Sequence, residues 1–136
     1  MALNQSVATS FKQEMLQGIH NLTSDVLKIA LYTANASLSY ATTAYTTVGE
    51  ASGAGYTAGG MALSNVTVQA SGGVVYVSFA NPSWAAALTA RGALIYNASK
   101  ANRAIAVLNF GSDKISTSLF TVNMPPNTPS TALLLF

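Results

Sequence analysis

The side chains that could do chemistry in this sequence are few and far apart. His20 is the single histidine, the carboxylates are Glu14, Asp25, Glu50 and Asp113, and there is no cysteine. A glycosidase needs two carboxylates about one sugar bond, and Glu50 with Asp113 is the possible pair, although no spacing supports it. The missing cysteine excludes a disulfide, a thiol nucleophile and a thiolate metal site, and no nucleophile elbow or metal-spaced set appears. The sequence therefore predicts a protein that is not an enzyme and has no cofactor or metal.

The chain is unusually poor in charge. Charged residues make up 7% of its 136 positions, against about 25% in a typical soluble domain. A hydroxyl or amide with a partner is much less costly to bury than an ion, and low charge removes the repulsion that keeps monomers apart. This composition favours a protein that works with much of its surface against other subunits. The alternative is a secreted or simply Ser/Thr-rich β-domain.

Charge and hydropathy patterns also argue against several kinds of partner. The net charge of +2 comes from six basic and four acidic residues. The basic residues do not form a Lys/Arg cluster that could bind a phosphate backbone, so we expect no nucleic-acid binding. No run reaches the roughly 18 apolar residues that a membrane span needs, and the N-terminus lacks a basic segment followed by an apolar one. We therefore expect neither a membrane partner nor a signal peptide.

The elements that would position these side chains are mostly strands, organised around residues 89–111. Two apolar runs, 93–96 and 104–108, flank a polar turn that carries Lys100 and Arg103. Because strand side chains alternate between faces, one face would hold Leu94, Tyr96, Ala104, Ala106, Leu108 and Phe110, and the other Ala93, Ile95, Ile105 and Val107. A strand that is apolar on both faces is covered on both faces. This predicts the central hairpin of a β-sandwich.

One helix is expected, over residues 10–22. Its apolar stripe at helical spacing consists of Phe11, Met15, Ile19 and Leu22. Ser10 and Gln13 fit a capping box at its start. We expect this helix to form a lid over one end of the sandwich; the alternative is a helix that docks on a partner.

The rest of the chain predicts strands separated by turns and one long loop. The expected strands are 26–33, 61–70, 74–80, 118–124 and 131–136, with turns at 71–73 and 111–114 and a loop at 34–60. Hairpin links without βαβ alternation indicate an all-β fold. The predicted class is a jelly-roll-like β-sandwich of six to eight strands with one short N-terminal helix, a single domain over 1–136.

Several residues are candidates for contact with a partner. Long loops in compact domains are usually functional, and tyrosines are good interface anchors, so Tyr40, Tyr45 and Tyr56 either contact a partner or hold the loop onto the sheet. Arg91 either pairs with Glu50 or Asp113 or reaches a carboxylate of another chain. The apolar end, 131–136, is either a core strand or a hook into a neighbour, with contacts from Leu133, Leu134, Leu135 and Phe136. Trp84 is either a core residue or a platform for a ligand.

Five stretches, which together cover most of the chain, form a distinctive set of motifs. They are SFKQEMLQGIHNL (10–22), KIALYTANASLSYATTAYTTVGEASGAGYTAGG (28–60), PSW (82–84), TARGALIYN (89–97) and KANRAIAVLNFGSDK (100–114). Together they resemble a family of small virion proteins of tailed bacteriophages. That resemblance implies a capsid cement (decoration) protein, a small jelly roll that sits on the head shell and bridges capsomers as a dimer.

The expected function follows from the resemblance and the low charge. We expect a non-enzymatic virion protein, made in the bacterial host cytoplasm, that binds the outside of the capsid and cements neighbouring major capsid proteins. Its partners would be the major capsid protein and itself, as a homodimer, with a trimer as the alternative. Two alternatives stay open: a tail or baseplate subunit, and a carbohydrate-binding β-sandwich that uses Trp84 and the loop tyrosines for stacking.

Overall fold

Ten strands and one helix form the regular structure of residues 3, 5–125, 128 and 132–135, which are the residues that a computed structural model of the chain describes. In chain order they are β1 (Ser6–Val7), α1 (Thr9–Leu16), β2 (Leu27–Tyr32), β3 (Met61–Ala62), β4 (Thr67–Ser71), β5 (Val74–Ser78), β6 (Ser83–Trp84), β7 (Thr89–Asn97), β8 (Arg103–Ile115), β9 (Phe120–Thr121) and β10 (Leu134–Leu135). Five of the ten strands have only two residues. These short pairings are why the count exceeds the six to eight strands expected.

The strands form three antiparallel sheets. The largest has the order β1-β8-β7-β2-β3, the second has the order β10-β5-β4, and β6 pairs with β9. Every pairing between named strands is antiparallel, as hairpin-linked strands require. The predicted class, an all-β sandwich with one short helix, is confirmed. No helix among the described residues is long and apolar enough to cross a membrane.

The predicted central hairpin is present as β7 and β8. Its core positions are buried completely, because the large sheet is covered on both faces. A bulge interrupts the pairing: Ala106 lies opposite Ile95 and Ala104 lies opposite Tyr96, so Ile105 is an extra residue. The alternation of faces reverses there. The expected placement of Ala106 and Leu108 on the face of Leu94 is therefore wrong, and Val107, which pairs with Leu94, occupies that face instead.

A second irregularity replaces the turn expected at 111–114. Strand β8 continues to Ile115, and its ladder with β7 skips from Asn109 to Lys114 while β7 advances only from Gly92 to Ala90. The intervening residues form a bulge inside the strand, with Gly111 at a φ of +85°, a conformation that glycine adopts without strain. The turn signal in the sequence is thus a bulge signal.

The helix is shorter than predicted and ends at Leu16 rather than residue 22. Gly18 has a φ of +75°, and the amide of Ile19 donates to the carbonyl of Glu14 at 3.0 Å while that of Gly18 donates to Met15 at 3.2 Å. This is the Schellman arrangement by which a glycine just past the helix satisfies its last carbonyls. The predicted capping box is also absent, because Ala8 is the N-cap residue and no side chain caps the helix.

The remaining strands keep their expected places but are mostly shorter. The strand expected at 26–33 is β2. The strand expected at 61–70 is divided in two: β4 forms the hairpin around Gly72 with β5, whereas β3 pairs with β2. The strand expected at 118–124 shrinks to β9. Residues 34–60 form the expected loop, which contains no named strand and is joined to the sheet by isolated bridges and individual hydrogen bonds. The terminal strand is β10, which pairs with β5.

Candidate interaction surface

Loop 34–60 folds back onto the large sheet around one carboxylate. Glu50 accepts hydrogen bonds from the hydroxyls of Tyr45 and Tyr56, both at 2.6 Å, and from the amide of Gly59 at 2.8 Å. The hydroxyl of Tyr56 in turn accepts from the amide of Leu31 in β2 at 3.0 Å. Hydrogen bonds to an ionised carboxylate are stronger than neutral ones. Glu50 therefore ties both ends of the loop segment 45–59 together and to the sheet.

Two strand tyrosines complete what we call the Glu50 cluster, consisting of Glu50, Tyr32, Tyr45, Tyr56 and Tyr96. The ring of Tyr96 stacks on that of Tyr45 with centroids 4.8 Å apart, and its hydroxyl donates to the carbonyl of Gly59 at 2.5 Å. Tyr32, fully buried in β2, donates to the carbonyl of Thr46 at 2.6 Å. Burial, followed by the hydrogen bond to Glu50 and the negative charge of that carboxylate, raises the pKa of Tyr45 and of Tyr56 above the ordinary value of 10. The tyrosines therefore remain hydrogen-bond donors at neutral pH.

A second set of polar side chains joins the end of α1 to the turn of the central hairpin. The side-chain amide of Asn97 donates to His20 Nδ1 at 2.9 Å and to Asp25 Oδ2 at 2.7 Å, while its oxygen accepts from the amide of Ser99 at 3.0 Å. Because His20 Nδ1 accepts, we assign the proton to Nε2, which donates to Glu14 at 2.8 Å. We call this set the helix-end network; it contains Glu14, His20, Asp25, Asn97, Lys100 and Arg103.

Two cations complete the helix-end network. Lys100 Nζ lies 2.8 Å from Asp25, and Arg103 Nη1 lies 2.8 Å from Glu14. Burial disfavours the charge of Asp25, but hydrogen bonds from Lys100, the amide of Asn21 and Asn97, together with the charge of Lys100, lower its pKa to about 2. Burial likewise opposes ionisation of Glu14, and the hydrogen bonds from His20 and Arg103, together with the charge of Arg103, still lower its pKa. Both carboxylates are thus held ionised by neighbours from β8 and its turn.

His20 is not the isolated residue that the sequence indicates. Its side chain is fully buried, its ring packs 5.0 Å from that of Phe11, and both its nitrogens have partners. A histidine that activates a nucleophile needs one ring nitrogen facing the reacting hydroxyl or thiol. In this chain that position is taken by the amide of Asn97. His20 therefore serves to connect the helix to the sheet.

Arg91 pairs with Asp113 rather than with Glu50. The distance from Arg91 Nη1 to Asp113 Oδ1 is 3.4 Å, with side chains 40% and 51% exposed, and Nη2 lies 3.4 Å from the carbonyl of Gly111. Glu50 is held in its tyrosine cluster. The two carboxylates considered as a glycosidase pair thus belong to different surroundings, one among tyrosines and one in the exposed bulge of β8.

The predicted partner contacts divide into exposed and buried positions. Tyr40 is exposed (64%), whereas Tyr45 and Tyr56 turn inward as described above. Leu133 is partly buried, and Leu134 is fully buried against the core. Leu135 lies in β10 next to it, and Phe136 lies outside the described residues. Of the three loop tyrosines, only Tyr40 is exposed.

Trp84 is a core residue in this structure. It is 6% exposed, and its ring lies 6.0 Å from that of Tyr56 and 6.4 Å from that of Phe120. A platform for a sugar has to present an open ring face to solvent. Trp84 instead fills the space between loop 34–60 and the β6–β9 pair.

The surface carries apolar side chains that the sequence did not single out. Besides Tyr40, the large exposed apolar residues are Leu16, Val26, Val48, Val68, Val75, Ile115 and Leu119. We call these eight residues the exposed apolar set. Leu16, the last residue of α1, is the most exposed of them, at 92%. A surface with few charges and several exposed apolar groups is inexpensive to desolvate.

The four carboxylates are all engaged inside the chain. Glu14, Asp25 and Asp113 pair with cations, and Glu50 is bonded by tyrosines. No group of three or more metal-ligating side chains occurs in the part of the chain that the structure describes. Comparisons with protein-family models, with curated proteins and with solved structures found no match to this chain.

Proposed function

We propose that this chain is a non-enzymatic structural protein of a tailed-phage virion, which binds the outside of the capsid shell and cements neighbouring major capsid proteins. One observation carries the proposal. All four carboxylates are engaged within the chain, while eight large apolar side chains are exposed. The resemblance of the sequence to small phage virion proteins supplies the setting in which such a surface would work.

The internal use of the carboxylates supports assembly over catalysis. A general acid or base has to be within hydrogen-bond reach of a substrate, and each of these carboxylates already has a partner from its own chain. An assembly protein needs instead a surface that is inexpensive to desolvate. The exposed hydroxyls, amides and apolar side chains of this chain meet that need.

Cementing follows from repetition of a modest contact. A ligand that binds only the assembled state stabilises it by mass action, and many copies on one lattice act together. We infer that the partners are the major capsid protein and a second copy of this chain. On this view the protein resides in the virion and adds no reaction of its own.

The test of the assignment uses the phage that encodes the chain. We expect the protein in purified heads at high copy number by mass spectrometry, and as density on the outer shell by cryo-electron microscopy. In particles made without it, the heads should break on heating or in low salt, whereas the tails should stay intact. Normal heads together with defective tails would contradict cementing and favour the tail or baseplate alternative.

A residue-level test separates surface contact from folding. Tyr40→Ser removes the exposed loop tyrosine, so binding to stripped heads should weaken while the free energy of unfolding changes by less than about 0.5 kcal/mol. The matched control is Tyr45→Phe, which removes a partly buried hydroxyl from the Glu50 cluster. This substitution should lower the free energy of unfolding by about 1–2 kcal/mol. Under conditions in which the variant is folded, it should bind heads normally. Normal head binding by Tyr40→Ser would remove this tyrosine from the interface.

A further inference from the structure

Strand β4 lies at the edge of the three-stranded sheet, because among the described residues it pairs only with β5. The hairpin has a two-residue turn at Gly72 and Gly73, with Gly72 at a φ of +61°, so Ser71 and Val74 form the hydrogen-bonded pair that closes it. Hydrogen-bonded and non-hydrogen-bonded pairs alternate along an antiparallel ladder. The backbone N–H and C=O groups of Val68 and Ala70 therefore point away from β5, toward the open edge.

Nothing in the sequence of β4 protects this edge. Soluble proteins usually guard edge strands with lysine, proline, a bulge or a covering segment. Strand β4 reads TVQAS and pairs in unbroken register with β5. Residues 51–90 as a whole contain no aspartate, glutamate, lysine, arginine or histidine. Two copies of this edge could therefore approach each other without like-charge repulsion.

The hairpin also carries apolar side chains past the core. Val68 pairs with Val77, and Ala70 pairs with Val75, so these four share one face of the sheet. Val77 is buried, whereas Val68 is 45% and Val75 is 39% exposed. The face that packs in the core at Val77 thus continues, uncovered, toward the turn.

We propose that a second copy of this chain binds at β4, by antiparallel pairing about a two-fold axis at Gln69. In that register Val68 of each copy lies opposite Ala70 of the other copy. Both residues present outward N–H and C=O groups, so the two pairs exchange four hydrogen bonds. The result is a continuous sheet of six strands, with the exposed valines brought together on one face.

Self-complementarity argues for a second copy rather than a foreign strand. An isologous contact needs one patch that fits itself. Strand β4 meets this condition, because it is neutral and its outward donors and acceptors match those of a second copy related by a two-fold axis. The edge is short, however. Five residues span about 17 Å, and such an edge covers less than the roughly 800 Å² per partner of a standard stable interface. Pairing in free solution is therefore weak and concentration-dependent, and it strengthens where copies are held close on a shell.

This inference deepens, and rests on, the self-association in the proposed function, but its test needs no virus particle. The chain has no cysteine, so a single introduced cysteine reports only contact between copies. In Gln69→Cys the two residues 69 would face each other at a non-hydrogen-bonded position, with Cα atoms about 4.5 Å apart, which a disulfide can bridge. The matched control is Ser71→Cys in the same strand, whose copies would be offset by four residues, about 14 Å.

We expect Gln69→Cys to form a disulfide-linked dimer on mild oxidation at high protein concentration, at least about tenfold faster than Ser71→Cys. Equal rates for the two variants, or no linked dimer of Gln69→Cys, would overturn the pairing. Failure of head binding with normal cross-linking would count against the capsid role alone.

Sedimentation of the cysteine-free protein gives a second measurement. Val68→Lys places a charge at the edge twice per dimer, so we expect the dissociation constant to rise by about tenfold or more. Val48→Lys makes the same change at an exposed valine of loop 34–60, and should leave self-association unchanged. A protein that stays monomeric at all concentrations, or a Val48→Lys effect as large as that of Val68→Lys, would refute the interface.

Discussion

Removing the carboxylate of Glu50 should release loop 34–60 from the sheet. Glu50→Ala removes the carboxylate that accepts three hydrogen bonds. The donors are the hydroxyls of Tyr45 and Tyr56, both at 2.6 Å, and the amide of Gly59, at 2.8 Å. A hydrogen bond to a charged group contributes about 1.5–3 kcal/mol. Glu50 is only partly buried, so water replaces some of what is lost. We expect the free energy of unfolding to fall by about 3–5 kcal/mol, a large share of the roughly 5–15 kcal/mol of a typical domain.

Two further variants separate the charge from the shape of this side chain. Glu50→Gln keeps the volume and one acceptor oxygen, and the tyrosine hydroxyls can rotate to accept from the new amide group. Its loss should be smaller, about 1–2 kcal/mol. Asp113→Asn removes a carboxylate from the exposed pair with Arg91, at 3.4 Å. Exposed pairs of this kind contribute about 0–1 kcal/mol, so this control should be almost neutral.

The assay is urea unfolding followed by fluorescence of Trp84, the single tryptophan, whose ring lies 6.0 Å from that of Tyr56. Trp84 therefore reports the region that Glu50 holds. A loss of less than about 1 kcal/mol in Glu50→Ala, or a loss in Asp113→Asn of equal size, would refute the reasoning. Limited proteolysis gives an independent check, because a released loop should be cut within 34–60 before the sheet unfolds.

Three other outcomes follow from the same structure. The pKa of Asp25 is lowered to about 2 from its ordinary 3.8, so its contribution to stability is complete above pH 3.8 and is lost as the pH falls through about 2. After allowance for solvent screening that contribution is about 1 kcal/mol, and urea midpoints between pH 5 and pH 2 should show a shallower fall in Asp25→Asn. The pKa values of Tyr45 and Tyr56 are raised above 10 by burial and by the charge of Glu50. The stability from their neutral form is therefore present below pH 10 and is lost as the pH rises further, and phenolate absorbance at high pH should appear together with unfolding. Leu134→Ala removes a fully buried side chain and should cost about 2–5 kcal/mol in thermal or urea unfolding; normal stability with lost particle binding would instead make the C-terminal segment a hook.

Periodicity predicts the parts of this fold in which local pattern and tertiary burial agree. The central hairpin is apolar on both faces in sequence and is covered on both faces in the structure. The errors lie where one residue changes the local geometry. Gly18 ends the helix although the apolar stripe continues to Leu22, and Ile105 adds a bulge that reverses the faces of β8. Gly18 was a readable signal for a helix end, whereas neither flanking residue type marks the bulge at Ile105.

The polar clusters were harder to predict because they are built from residues far apart in the chain. Glu14 and Arg103 are 89 positions apart, and Asn97 and His20 are 77 apart. No local spacing indicates such contacts, and a single histidine with scattered carboxylates reads as unrelated groups. Tyr45, Tyr56 and Glu50 are close in sequence, but whether they face the sheet or a partner depends on the path of loop 34–60. That path is set by tertiary contacts such as the hydrogen bond from Leu31 to Tyr56.

Most of the charged side chains in this chain are used in contacts within the chain. Three cations are paired, Lys100 with Asp25, Arg103 with Glu14 and Arg91 with Asp113, and the fourth carboxylate, Glu50, is bonded by tyrosines. Of six basic residues, these pairs use three, and the other three are lysines. The paired ions of the helix-end network fix the helix to the hairpin turn, where hydrogen bonding offsets the cost of burial. The strands from β3 to β6 carry no charge at all, so the part of the surface that is least costly to desolvate is also the part with an open sheet edge.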